Sequence, residues 1–373
     1  MSNAPAVVEC DLAVVGAGPA GLAAASLAAR AGLDTILFDD QPSPGGKVYR
    51  AITATPVTER AILGSDYWQG AKLVHEFLAS GARYSPNATV RSLTPELVLD
   101  VSDSGNAVAA SARSVIVATG AVERPFTIPG GALPGVAAAG TAQAALKSEG
   151  RVPGGRIVLA GSGPMLWLIA RQLLNAGAKV EAILDTTPRA NRARAAPHAL
   201  GFLFSPYFRR GWQLLRDVRR RVPVVREVSA IRAEGDERVR AVAYRCAGGS
   251  AGSVPVDHLL LHRGLMPDVT LGLSAGIAHR WDDAQVCSAP VLDAYGGTSS
   301  AGILVAGDAA GIGGAQAAAW RGVLSAIAVV SAIQPDRKLP VEKLAHTALA
   351  HFGRGRKFLD ALYRPSEPFG EAA

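Results

Sequence analysis

Glycines at positions 16, 18 and 21, in the run Gly16-Ala17-Gly18-Pro19-Ala20-Gly21, are the first residues whose spacing has chemical consequences. They act through backbone alone. Gly16 can take the positive φ of a tight turn, Gly18 lets main chain approach a pyrophosphate, and Gly21 lets a helix lie close to a strand. The flanks supply those elements: Cys10 to Val15 reads as a short apolar strand, and an Ala/Leu-rich helix follows to about Arg30. Its amino terminus offers free N–H groups and roughly half a positive charge to an anion. A second strand, Thr35 to Phe38, delivers Asp39 and Asp40. They follow the last glycine by about twenty residues, where a carboxylate accepts hydrogen bonds from ribose hydroxyls. Asp39 is the first choice for that role.

Three later segments distinguish FAD from NAD at this turn. Pro44-Gly45-Gly46-Lys47 places a second glycine pair just past the acids, where backbone can pass close to a ligand. Ser114 to Gly120 is an apolar strand ending in Ala118-Thr119-Gly120, a turn that returns the chain to the nucleotide. Ile303 to Asp308 is another strand, whose terminal Gly307-Asp308 precedes a helix beginning near Gly313-Gly314-Ala315-Gln316. An acid at a strand end beside a helix amino terminus suits a long ligand: the carboxylate can take a ribityl hydroxyl while the helix N–H groups face the flavin pyrimidine. NAD has no ribityl chain. The competing reading is a large NAD-dependent dehydrogenase in which Ile303 to Asp308 is only a core strand. In this order the segments resemble the two-dinucleotide-binding-domain flavoproteins, the class of glutathione and thioredoxin reductases. That resemblance implies that Val90 touches adenine through its backbone.

The βαβ pattern then repeats. Arg156 to Ala160 leads into Gly161-Ser162-Gly163-Pro164-Met165-Leu166, a helix to about Ala176, and a strand Lys179 to Leu184 ending at Asp185. Leu166 stands where the third glycine belongs, so helix and strand must pack differently here. Two readings stay open: a second nucleotide site, for NAD(P) or ADP/ATP, with Gly161, Gly163, Pro164 and Asp185 as contacts, or a Rossmann fold that binds nothing. The expected fold class is α/β with two Rossmann-like, three-layer nucleotide-binding domains, the second inserted in the first, as in the reductases just named. The Pro- and Gly-rich run Pro125 to Gly135 is the expected crossing, and the return falls between about residues 275 and 302. This gives an FAD-binding domain of residues 1–122 and 285–373 around an inserted domain of residues 123–284.

Composition narrows the chemistry. At 373 residues and 49% apolar, the chain is long enough for about two packed domains. Cys10, Cys246 and Cys287 stand far apart, with no CxxC and no ligand set for zinc or an iron–sulfur cluster. A disulfide reductase passes electrons through a redox dithiol beside the flavin, so that reaction is excluded though the fold is not. Seven histidines form no metal-binding spacing, no metal site is expected, and there is no GxSxG elbow. No catalytic residue is assigned. The first ten residues carry no Lys or Arg, which argues against a secretory signal and for a cytoplasmic chain. Ala301 to Trp320 is interrupted by Asp308 and five glycines, and Val323 to Ile333 is too short, so no transmembrane segment is expected. The net charge of +7 is clustered: nine arginines and one acid, Asp217, lie between Arg189 and Arg221, interleaved with Phe202, Phe204, Tyr207, Phe208 and Trp212. That segment reads as a solvated helix face or as a docking site for an acidic subunit. No nucleic-acid-binding motif accompanies it.

Three longer runs, Ala118 to Leu146, Ala160 to Arg189 and Ala306 to Gly322, resemble a narrower family. They are similar to the α subunits of heteromeric amine and imino acid dehydrogenases: opine oxidases, D-hydroxyproline and dye-linked proline dehydrogenases, hydrogen cyanide synthase, and part of the sarcosine oxidase α chain. The resemblance covers about residues 8 to 335. It implies FAD contacts at Gly16, Gly18, Gly21, Asp39, Gly46, Lys47, Gly120, Gly307 and Asp308, and a hetero-oligomer with a D-amino-acid-oxidase-like β subunit that oxidises the substrate. Many members carry a cysteine-rich iron–sulfur module that these cysteines cannot form, so any cluster would sit on another, small iron–sulfur subunit. Lys47 stands where Gln is usual, and Gly131-Ala132 where an aromatic is often found. The expected function is an FAD-binding α subunit relaying electrons onward. The alternatives are a self-sufficient NAD(P)H-dependent flavoprotein reductase donating to a ferredoxin or dye, and a scaffold that keeps FAD for folding alone.

Overall fold

The computed structural model describes residues 7–103 and 105–365. Alternation is absent from the central strands because both faces are covered. Leu12 to Val14 and Val115 to Val117 are essentially inaccessible to solvent, as parallel strands sandwiched between layers must be. The first sheet has seven strands. Val7–Val15 pairs in parallel with Thr35–Phe38 on one side and Asn106–Val117 on the other, in the register Val14 with Leu37 and Val14 with Ile116. Ile303–Val305 adds in parallel to Asn106–Val117, Arg83–Ser85 adds beyond Thr35–Phe38, and Val98–Asp103 and Ala88–Leu93 extend the other side antiparallel.

Helices Pro19–Arg30 and Ala315–Ile333 lie together on one face of this sheet. Glycine sets their spacing. A Cβ on Gly21 would collide with the Gly16 carbonyl, and one on Gly322 with the Ala20 carbonyl. Ala315–Ile333 is the one helix among the described residues long and apolar enough to cross a membrane. It is a continuous helix of 19 residues that runs through both stretches considered in the sequence. Half of its apolar window is buried inside the protein, with Ala317, Ala318, Leu324, Ala326 and Val330 in the core.

The second sheet has five strands, all parallel, in the order Val224–Arg226, Lys179–Asp185, Arg156–Ser162, His258–Arg263, Val136–Ala138. Helices Ala139–Glu149, Pro164–Asn175 and Pro206–Arg221 back one face around Leu159, Trp167, Leu173 and Val218. The other face packs on an antiparallel sheet of Val228–Glu234, Ala241–Cys246 and Ala251–Pro255 through Val158, Leu184, Ile231 and Val242.

Ala121–Glu123 and Leu265–Pro267 pair antiparallel in a two-stranded ribbon between these sheets. From Ile128 onward the proline-rich run already packs on the second unit: Ile128 lies in its core and Pro129 O accepts Ala233 N–H at 2.9 Å. The return comes earlier than the expected residue 285. Leu271, Ala275 and Ile277 pack in the core beneath the first sheet, with Leu99 and Val305. The last helix, Glu342–Leu362, packs on Ala315–Ile333 and on the Arg-rich helices of the second unit, stacking Phe358 on Phe202 at 4.3 Å between centroids. Nothing in the sequence patterning pointed to this brace.

Candidate functional site

The first glycine turn folds as its spacing demands. Gly16 has φ +102°, donates its N–H to Phe38 O at 2.8 Å, and leaves only 2.6 Å between a would-be Cβ and Ala118 O. Gly18 caps the helix without a side-chain partner, and a Cβ there would meet nothing within 4 Å. No side chain caps the helix amino terminus, and open space lies beside Gly18, as an anion site requires.

The other expected segments converge on this turn. Gly45 N–H donates to Ala17 O at 2.9 Å, and Gly46, at φ +58°, lies so near that a Cβ would come within 2.7 Å of Gly18 Cα. Lys47 Nζ donates to Ala121 O at 2.8 Å, tying the loop to the ribbon. Ala118 and Thr119 back Gly16, while Gly120, at φ +81°, faces open space. A Cβ on Gly307, at φ +74°, would stand 2.7 Å from the Ala20 methyl, so the adjacent Asp308 sits beside the first turn. Asp308 Oδ1 accepts N–H bonds from Gly313 at 2.8 Å and Gly314 at 3.0 Å, which aims the amino terminus of helix Ala315–Ile333. Gly314, at φ +86°, opens outward like Gly18 and Gly120. Gln316 is held by Arg210 at 3.2 Å and by Gln69 at 2.8 Å. Gly18, Gly120 and Gly314, each with room for a side chain, thus stand with two helix amino termini, the acid pair and Asp308 around the first turn.

The two acids of the pair differ in exposure. Asp39 is only 3% exposed. Its carboxylate accepts the Tyr84 hydroxyl at 3.0 Å and Gln41 N–H at 3.3 Å, and burial pushes its pKa up to about 6. Asp40 is the exposed acid. The strand carrying Val90 is bonded to this corner through Ala88 N–H on Asp39 O at 2.8 Å, and its ladder is irregular between Val90 and Ser92. Val90 thus lies two residues from this corner, paired with Val101, and the residue skipped by the ladder is Arg91.

The second turn is built differently. Gly161 has φ +139° and a Cβ there would strike His262 O, so this glycine serves strand packing rather than a ligand. Leu166 fills the core with Trp167, and Gly163 and Pro164 start the helix. Asp185 is buried and accepts Thr187 N–H at 3.0 Å. Over it lies Tyr363, at the end of the last helix: burial pushes its phenol up, Asp185 adds to the shift, and Arg219 opposes it. The Trp167 indole N–H donates to its hydroxyl, Arg219 stacks on Trp167 at 5.4 Å, and Asn191 Nδ2 holds Arg364 O at 2.8 Å. Tyr363 and Arg219 thus lie near Asp185, at the strand end where the sequence pattern put a second carboxylate.

Sequence reasoning missed four supporting groups. Lys147 is buried and donates Nζ to Lys47 O at 3.2 Å, Val48 O at 2.9 Å and Gln143 Oε1 at 3.0 Å. Arg321 donates to Gly307 O at 3.0 Å and to Gly311 O, bracing the turn that carries Asp308. Tyr207 donates its hydroxyl to Gly313 O at 2.8 Å. Glu123 accepts from the Gly140 N–H at 3.1 Å and pairs with His262 at 2.6 Å, beside the second turn. None belongs to a motif, since each acts through a contact distant in sequence. No metal-binding cluster occurs among the described residues, and all three cysteines are free. Burial pushes the Cys10 thiol up to about 11, so it is not a reactive thiolate.

Residues 10–322 match the family described as pyridine nucleotide-disulphide oxidoreductase. The chain belongs to that family. It is a FAD-dependent oxidoreductase, although it lacks the paired thiols after which the family is named. It is 42% identical over 370 residues to an opine oxidase subunit of Agrobacterium tumefaciens (strain Ach5), covering 96% of this chain and 73% of that one. It is 30% identical over 345 residues to hydrogen cyanide synthase subunit HcnB of Pseudomonas aeruginosa, covering 89% and 72%. Among solved structures, L-proline dehydrogenase from P. horikoshii shares the fold with a TM-score of 0.67 at 19% identity; the match covers 94% of this chain and 60% of that one.

Proposed function

We propose that the chain is the FAD-binding α subunit of a heteromeric flavin-dependent amino or imino acid dehydrogenase. A partner subunit resembling D-amino-acid oxidase oxidises the carbon–nitrogen bond of an opine, D-hydroxyproline or proline-like substrate. This chain relays the electrons to an external acceptor, such as a small iron–sulfur subunit. The relatives are named as subunits of opine oxidase and of hydrogen cyanide synthase, which supports this assembly.

The observation that carries the reading is the contrast between the first turn, where Gly18 opens outward, and the second, where Leu166 is buried and Gly161 packs on His262 O. Bound FAD would supply hydride acceptance and stepwise electron release. The chain's own residues hold and orient it. N–H groups from Gly18 to Gly21 face the pyrophosphate, and the exposed Asp40 takes the adenosine ribose. Backbone at Val90 borders adenine. Gly46 and Gly120 leave room for the ligand's edge, and Lys47 fixes the loop. Asp308 Oδ2 accepts a ribityl hydroxyl while Oδ1 aims the N–H groups of Ala315 and Gln316 at the pyrimidine. No residue of this chain is assigned to the oxidised substrate.

The alternative, a self-sufficient NAD(P)H-dependent reductase, rests on the second βαβ unit. Anaerobic mixing with NADH and NADPH tests the choice. The proposal expects the flavin absorbance near 450 nm to persist with either nucleotide and to bleach when the partner turns over its amino acid. Rapid bleaching by a pyridine nucleotide alone would overturn it.

A further inference from the structure

The Arg-rich segment does not dissolve into a solvated face. Leu200 and Phe204 are each 69% exposed and Trp212 is 53% exposed, along helices Ala199–Leu203 and Pro206–Arg221. Large apolar groups held in water at that density mark an interaction site rather than scatter. The arginines around them are incompletely matched. Arg192 pairs with Glu227 at 3.0 Å, Arg210 with Asp66 at 3.8 Å and Arg221 with Asp217 at 3.9 Å. Arg216 stacks over Trp212 at 5.0 Å. Among the described residues, Arg189, Arg209 and Arg220 have no acidic partner, and Arg354 and Lys357 of the last helix lie exposed beside the same helices. The segment holds nine arginines and no lysine. Arginine gives a planar fork that binds carboxylate in pairs, and Arg with Trp and Phe is the composition of interface anchors.

Its position matters as much as its composition. Tyr207 bonds Gly313 O and Arg210 bonds Gln316, so helix Pro206–Arg221 is fastened to the amino end of the helix beside Asp308. A partner seated on its outer face lies close to the flavin end of the cradle.

We infer that the outer face of Ala199–Leu203 and Pro206–Arg221, with Leu200, Phe204 and Trp212 set among unpaired arginines, docks an acidic face of the substrate-oxidising subunit. This deepens the proposed function and rests on it. Carboxylates on the partner neutralise Arg209, Arg216 and Arg220, and apolar pockets take Phe204 and Trp212. A membrane is disfavoured because the other apolar residues of Pro206–Arg221, Leu214, Leu215 and Val218, turn inward against the second unit.

The test uses the full chain in its native host. A photo-crosslinking phenylalanine analogue placed at Phe204 or Trp212 is expected to capture one flavoprotein subunit, identified by mass spectrometry. The same analogue at Trp281, 61% exposed on the strand His279–Asp282, is expected to capture none. The triple variant R209E/R216E/R220E is expected to weaken the purified complex by about a hundredfold at physiological salt while keeping its flavin. A complex that survives the triple variant overturns this surface, as does crosslinking to RNA or lipid instead of protein. A wild-type chain that is monomeric in host extracts overturns the subunit reading itself, so the two failures are distinguishable.

Discussion

The two glycine turns share a sequence pattern and differ in what faces them. At Gly16 to Gly21 the third glycine is kept, the helix meets the strand closely, and Gly18, Gly120 and Gly314 open outward. At Gly161 to Leu166 the third position is a buried leucine, a Cβ on Gly161 would strike His262 O, and Arg219 stacks on Trp167 nearby. A βαβ unit is stable without a ligand when side chains fill its crevice. Only where glycine keeps that crevice empty is a dinucleotide needed to complete the surface. A fingerprint therefore reports a fold, and the residues across from it report whether the fold binds.

Swapping the distinguishing residue should break the comparison most severely. Gly21→Leu would drive a side chain into the Gly16 carbonyl and Val14, so we expect insoluble protein, read as loss of the soluble fraction on expression. The reciprocal Leu166→Gly empties a fully buried site and adds a glycine to a helix. It should cost about 3 to 5 kcal/mol in urea unfolding yet leave the flavin in place. Gly18→Val comes next. Its Cβ meets no protein atom, so the variant should fold with an apo-like unfolding midpoint but purify without the 450 nm band. A yellow Gly18→Val protein would remove the pyrophosphate from this turn.

The carboxylates sharpen the contrast at smaller cost. Asp308→Ala deletes the acceptor of the Gly313 and Gly314 N–H groups together with the proposed ribityl contact. Losing a charge-assisted bond is worth about 1.5 to 3 kcal/mol, so FAD should bind roughly ten- to a hundredfold more weakly in equilibrium dialysis. Asp185→Ala touches only Thr187 and the surroundings of Tyr363, and should leave FAD affinity unchanged. Equal effects from the two would mean that the second unit contributes to the flavin site.

What was legible in the sequence follows from the range of each interaction. The turns, the Thr35–Phe38 strand and the helix starts at Pro19, Pro164 and Ala315 are fixed by local backbone needs, so glycine, proline and apolar periodicity announce them. Asp39 and Asp40 could not be ranked from spacing. Tyr84, distant in sequence, decides which carboxylate is buried. The return to the first sheet was placed too late because Leu271 to Ile277 carries no turn signature of its own. Its membership shows only in packing on Leu99 and Val305. Tyr363 was invisible for the same reason: a single tyrosine past a helix gives no hint that it bonds Trp167, distant in sequence.

The gentlest effect per step lies where the two units meet. Lys147, on the helix Ala139–Glu149 of the second unit, reaches across to the carbonyls of Lys47 and Val48 in the loop beyond the acid pair. Burial, with Arg50 adding to it, pulls its pKa from 10.5 down to about 7. The unfolded chain keeps this proton up to about pH 10.5 while the folded chain releases it above about pH 7. Between those values the unfolded state binds more protons, so this group makes stability rise with pH. Lys147→Met removes that contribution and leaves the two carbonyls without their donor. The stability difference between wild type and Lys147→Met, from urea midpoints at several pH values, should therefore move in favour of the wild type as pH rises. The change should be at most about 1.4 kcal/mol per pH unit. A pH-independent difference would mean that Lys147 titrates as an ordinary lysine, and that the junction of the two units opens enough to hydrate it.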